Sequence, residues 1–226
     1  MCTLTWNRPS PETLNVWFNR DEKKTRPIAE PPHLRELGGV RFLSPRDPQG
    51  GGTWMFANEY GLVVCLLNRW ELGSKTGSGV QKSRGLLVWG MAVAKSLTEL
   101  SELLENLENY PPFTLVGLST EGEVAWDWDG ETVTALEPKQ PFTSSSYCFT
   151  EVKKSREEMF PGADSASYHA SLGQESTAFT VRMNRPDAQT WSRSKVSIRD
   201  KITWEYLAEE PDLAGDPERF FLILTL

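Results

Sequence analysis

The 226-residue chain carries 24 Lys and Arg against 31 Asp and Glu, a formal net charge of -7, so phosphate backbones and anionic membrane surfaces are poor partners. Its length suits one domain over 1–226, with a core that needs no disulfide or metal, and no run of about 18 apolar residues could span a bilayer. Three cysteines with no pairing pattern and no secretory signal point to a reduced, cytoplasmic protein, and two histidines without a Cys-x-x-Cys leave no zinc site.

In chain order, Cys2 to Trp6 and Asn15 to Phe18 read as two short strands around the turn signal Asn7-Arg8-Pro9-Ser10-Pro11. Asn19-Arg20-Asp21-Glu22 follows the second strand, and on composition Arg20-Asp21-Glu22 is a solvated turn. Pro27 to Pro32 is expected to be irregular. The glycines 50–52 allow close backbone approach or positive φ, but without a following Lys they are no phosphate loop. Met55 to Ala57 and Leu62 to Leu67 form an expected hairpin, turned by Asn58-Glu59-Tyr60-Gly61. A mobile Gly/Ser loop is expected over 73–79.

Ser83 to Lys95 is apolar nearly all round, as in an internal helix. Ser96-Leu97-Thr98-Glu99 fits a capping box that opens an amphipathic helix carrying Leu97, Leu100, Leu103, Leu104 and Leu107, stopped by Pro111-Pro112. Strands are predicted at 113–118, 124–128, 131–135, 178–183, 192–198, 202–206 and 220–224, and a weaker helix at 150–160. Blocks of strands and blocks of helices imply an α+β class: antiparallel sheets, stacked and covered by helices.

Cys2 is the most reactive candidate. A small second residue suits removal of Met1, which would leave a thiol and a free α-amine on one residue. The amine, with a pKa of about 8, could serve as the thiol's base. Antiparallel pairing of the first two strands would bring Arg20 and Asp21 near it, the guanidinium favouring thiolate and the carboxylate orienting the amine. Asn68, after a buried run, could supply a fixed amide to an oxyanion. His33 and His169 have no partner implied by spacing, and 144–146 is a serine wall or a loop.

Met1-Cys2-Thr3, Asn19-Arg20-Asp21-Glu22, Gly38-Gly39, Pro45-Arg46-Asp47-Pro48 with Gly51-Gly52-Thr53-Trp54, Asn58-Glu59-Tyr60-Gly61 through Asn68-Arg69, and Ser83-Arg84-Gly85 together resemble the NRDE family, which includes the transport-and-Golgi-organisation proteins. That family is similar to the N-terminal-nucleophile hydrolases of the bile-salt hydrolase and penicillin acylase group. The resemblance implies a four-layer αββα sandwich with Cys2, Arg20, Asp21 and Asn68 as catalytic residues and Asn19, Trp54, Asn58 and Ser145 around the substrate. It implies a small-molecule substrate and no required cofactor, with haem binding or lipid-metabolite trafficking in the same cleft as the alternative. Two departures stand out: serines at 144–146 where the group has a second asparagine, and a late arginine that could be Arg182, Arg185 or Arg193.

Overall fold

The computed structural model describes residues 2–73, 81–160, 162, 164–172 and 177–226. The loop expected at 73–79 lies, apart from Gly73, outside the described residues. Thirteen strands are present among them: β1 Cys2–Ser10, β2 Thr13–Lys23, β3 Glu30–Leu37, β4 Val40–Arg46, β5 Met55–Asn58, β6 Val63–Asn68, β7 Phe113–Leu118, β8 Glu123–Trp128, β9 Val133–Leu136, β10 Phe142–Ser144, β11 Ala188–Ile198, β12 Lys201–Ala208 and β13 Glu218–Thr225. Four α-helices accompany them: α1 Arg84–Gly90, α2 Leu97–Glu102, α3 Phe149–Met159 and α4 Ser165–Ala170.

The strands form two antiparallel sheets. The first has the order β10-β1-β2-β11-β12-β13, the second β3-β4-β5-β6-β7-β8-β9. Leu4, Trp6, Leu14, Val16 and Phe18 from the first sheet meet Met55, Ala57, Val63, Cys65 and Leu67 from the second in the main core. α1 and α2 cover the outer face of the second sheet through Val88 and Leu100. α3 and α4 lie on the outer face of the first sheet, against β10, β1 and β2. The result is the expected helix–sheet–sheet–helix order, with thin outer layers.

The departures from the expected elements have local causes. β1 continues to Ser10 through Pro9, and its register slips between Asn7 and Ser10, where a proline cannot donate to the ladder. β3 occupies the stretch expected to be irregular. It is an edge strand, so Pro31 and Pro32 forfeit little, and its register also shifts between Glu30 and His33. The internal helix is shorter than expected, because α1 gives way to a 3-10 turn at Met91–Val93. The Ser96 hydroxyl accepts the Glu99 N–H at 3.1 Å as the capping signal requires, yet α2 ends at Glu102 and Asn106 takes φ 54°. Leu107 still reaches the core without a helix beneath it. The strand expected at 178–183 does not form.

β2 is the element that positions the chemistry. It pairs with β1 on one side and β11 on the other, so Arg20-Asp21-Glu22 is strand interior rather than a turn. Arg20 and Asp21 are 5% and 2% exposed. Strand alternation then sends Arg20 and Phe18 between the sheets, and Asn19 and Asp21 toward α3 and α4.

Candidate active site

Cys2 stands opposite Arg20 on β2 and opposite Ser144 on β10. Directly opposed residues share one face of the sheet, so all three side chains project between the sheets. Cys2 and Arg20 meet the wall of a cleft of about 590 Å³ lined also by Trp54, Asn68, Lys82 and Arg84, among others. The Arg20 guanidinium lies 4.4 Å over the Trp54 ring and 3.6 Å from the Glu22 carboxylate, which fixes its plane beside Cys2. Asn68 ends β6, half-buried at the cleft edge, and makes no side-chain hydrogen bond among the described residues.

The thiol is not activated by its surroundings. Burial raises its pKa above the ordinary cysteine value; the N-terminal ammonium charge opposes this, the Asp21 charge adds to it, and a hydrogen bond from the Asp21 backbone and the Arg20 charge oppose it further. If Met1 were removed, the α-amine of Cys2 would be the base that covalent structure puts nearest the thiol.

Arg84, at the start of α1, is the principal cleft residue that sequence reasoning left without a role, although Ser83-Arg84-Gly85 was among the resembling motifs. Burial pulls its pKa down to about 10, so it stays charged at neutral pH, with Glu22 and Cys2 opposing that fall. Among the described residues its guanidinium donates to the Pro112 carbonyl at 2.8 Å, lies 5.0 Å over the Trp70 ring and makes no ion pair. Arg26 and Asp47, by contrast, are paired with each other at the rim.

Asp21 lies on the other face of β2 while its backbone reaches Cys2. Its carboxylate accepts a hydrogen bond from the Thr190 hydroxyl at 2.7 Å and pairs with Arg156 at 3.3 Å, both partners of that ion pair having side chains 0% exposed. Burial raises its pKa, and Arg156 works against the rise. Arg156 also donates to the Thr3 hydroxyl at 2.6 Å and to the Ala178 and Thr180 carbonyls at 3.1 and 2.9 Å. Those carbonyls are used by a side chain instead of a ladder, which explains the strand missing there. A bulge at Trp191, where the β11 register shifts between Thr190 and Ser192, sets Thr190 opposite Asp21. None of the three expected late arginines lines the cleft: Arg182 and Arg193 both hold Glu209, and Arg185 holds Asp187.

Three of the expected substrate contacts fall elsewhere. Asn19 is on the outer face by strand alternation. It donates to the His169 and Val181 carbonyls at 3.0 and 3.1 Å, and its side-chain oxygen meets His169 Nδ1 at 2.8 Å. Asn58 donates to the Ala92 and Ala94 carbonyls at 3.0 and 2.7 Å and accepts from the Tyr60 and Leu62 amides, so it clamps the hairpin turn to the helical layer. Ser145 donates to the Tyr147 carbonyl at 2.5 Å and accepts the Tyr147 N–H, a local turn off the cleft lining. Trp54 lines the Cys2 cleft.

The histidines are also away from Cys2. His33 is exposed on β3. His169 is buried, with Nε2 2.9 Å from the Thr5 hydroxyl. Its pKa is lowered to about 3, chiefly by burial and further by Arg156 and Arg193. The unfolded chain, with an ordinary value of 6.5, therefore binds a proton that the folded protein refuses between those values. Stability should fall as pH drops through this window, by up to about 1.4 kcal/mol per pH unit. Urea titrations of wild type and His169→Gln check this: the variant should lose the slope just below the ordinary histidine value. An unchanged slope would show that His169 is not its source.

A family model described as Transport and Golgi organisation 2 matches residues 1–161. No curated protein matches the sequence. Among solved structures, the C2A mutant of conjugated bile acid hydrolase from Clostridium perfringens is similar at TM-score 0.57 and 12% identity, covering 98% of this chain and 96% of that one. Penicillin V acylase from Agrobacterium tumefaciens gives 0.55 and 14%, covering 98% and 86%. The Caenorhabditis elegans ortholog of N-acylethanolamine-hydrolyzing acid amidase gives 0.55 and 12%, covering 86% and 92%. At these identities the likeness is one of fold, and the fold is that of the N-terminal-nucleophile hydrolases.

Proposed function

From the chain's membership of the Transport and Golgi organisation 2 family and the contents of its cleft, we propose that it is a Cys2-dependent acyl-transferring enzyme acting on an amide or thioester. The observation that carries this reading is the cross-strand register. It sets the Cys2 thiol against Arg20 at a cleft wall that Asn68 shares.

Once Met1 is removed, the α-amine takes the thiol proton and Sγ bonds to the substrate carbonyl carbon, sending the C=O π electrons to oxygen. The Asn68 amide, on the same cleft lining, would donate to that oxygen. Collapse breaks the bond to the leaving nitrogen or sulfur, which takes the proton from the amine. Water or an amine then attacks the thioester, releases the acyl group and restores the thiol. The lining adds a preference. With Arg26 committed to Asp47, the cations Lys23, Lys82 and Arg84 favour an acyl donor that carries an acid group.

Haem, the alternative occupant, would find Cys2 as the sole thiolate or imidazole among the described cleft residues, since His33 and His169 both lie off the lining.

Intact mass and limiting alkylation test the proposal. In protein that has lost Met1, Cys2 should be alkylated at neutral pH ahead of Cys148, although Cys148 is exposed and Cys2 is 8% exposed. In protein that keeps Met1, burial holds the thiol protonated, and Cys2 labelling should begin only as pH rises well above neutrality. Cys148 labelled first in Met1-free protein would remove the nucleophile.

A further inference from the structure

Ser144 is buried, 2% exposed, and its hydroxyl has no hydrogen-bond partner among the described residues. That is an unfavourable state for a polar group inside a protein unless something else uses it. It sits at the end of β10 directly opposite Cys2, so the two Cβ atoms are about 4.5–5.5 Å apart on one face of the sheet. Ser144 also lines a second cavity, of about 270 Å³, bounded by Leu67, Asn68, Phe142 and Phe149 among others. Asn68 is common to this cavity and to the Cys2 cleft.

Resting on the nucleophile reading above, we propose that the Ser144 hydroxyl donates a hydrogen bond to the substrate carbonyl as Cys2 attacks it. The reacting carbon then sits at the junction of the two cavities, with the charged arm of the substrate in the larger cleft and its other arm in the cavity beyond Ser144. Ser145, the serine first expected to touch substrate, spends its hydroxyl on Tyr147, so Ser144 is the one of the pair aimed at the chemistry.

Two reactions of the same thiol separate this role from the nucleophile itself. Acylation by p-nitrophenyl acetate passes through a tetrahedral oxyanion; alkylation by iodoacetamide does not. In Met1-free protein, Ser144→Ala should slow Cys2 acylation at least about tenfold, toward the 10²–10³ range known for a lost oxyanion donor, while alkylation of Cys2 keeps its wild-type rate. Ser144→Asn, which restores a donor, should recover part of the acylation rate. Acylation unchanged in Ser144→Ala, or both reactions slowed together, overturns the role of Ser144 and leaves Cys2 standing. Failure of wild-type Cys2 to acylate, with Cys2→Ala indistinguishable from wild type, overturns both readings.

Discussion

Arg156→Met is expected to cost the protein about 3–5 kcal/mol of stability, the range for removing one partner of a buried ion pair. Both side chains of the Arg156–Asp21 pair are fully out of solvent, and four further groups depend on the guanidinium or on the turn it holds: the Thr3 hydroxyl, the Ala178 and Thr180 carbonyls, and Tyr168, which donates to the Arg156 carbonyl. With the cation gone, the force restraining the Asp21 carboxyl from protonating is lost and its pKa rises further. A raised carboxyl stabilises the fold at pH below its unfolded value, and that contribution is lost as pH rises through its folded value. The penalty in Arg156→Met should therefore be greatest at neutral pH and should ease on acidification. Urea unfolding of the variant and of Arg156→Met/Asp21→Asn as a function of pH measures this. A double variant as unstable as the single one at neutral pH would show that the stranded carboxylate is not the cause.

Gly52→Ala should be the second most damaging change, and it acts on the cleft wall. A Cβ there would stand 2.1 Å from the Gly85 carbonyl carbon, 2.3 Å from its oxygen and 2.5 Å from the Leu86 nitrogen. These are backbone atoms and cannot turn aside as a side chain can. The close approach is built in, because the Thr53 N–H donates to that same Gly85 carbonyl at 3.0 Å. The variant must separate the 47–53 loop from the start of α1, which carries Arg84. The expected loss is about 1–3 kcal/mol or somewhat more, with weakened Cys2 selectivity in alkylation as Trp54 moves off Arg20. Gly90→Ala is the control. Among the described residues nothing lies within 4 Å of the added Cβ and the position is in α1, so the change should be neutral or slightly stabilising. Equal urea midpoints for wild type and Gly52→Ala would contradict the steric argument.

These positions show what a linear reading can and cannot reach. The sandwich was legible because alternation and apolar runs mark β6, β7, β8 and β12 plainly, and because the capping signal at Ser96 is local. The pairing of Cys2 with Arg20 was legible because a hairpin joins neighbours in sequence. Asn19 was misplaced because a four-residue motif invites one function for all its members, whereas a strand sends alternate residues to opposite faces. Arg156 was missed because its surroundings come from β1, β2 and the 178–180 turn, none near it in the chain. Serines 144–146 drew attention, but only the β10 register separates Ser144 from Ser145. Arg84 entered the sequence reading only within Ser83-Arg84-Gly85, and its Trp70 and Pro112 contacts depend on residues distant in the chain.

The order of strands in the first sheet also sets a timetable for biosynthesis. β1 and β2 emerge first, yet their outer neighbours in that sheet are β10 and β11. Asp21 meets Arg156 across 135 residues and Thr190 across 169. At roughly 5–20 residues per second of translation, the first hairpin waits many seconds before the strands that flank it exist. Through that interval the amino end cannot be enclosed by its final neighbours, so it stays open to the aminopeptidase that would uncover the Cys2 amine. Ribosome-bound chains stopped short of β10 should accordingly be trimmed faster than the finished fold.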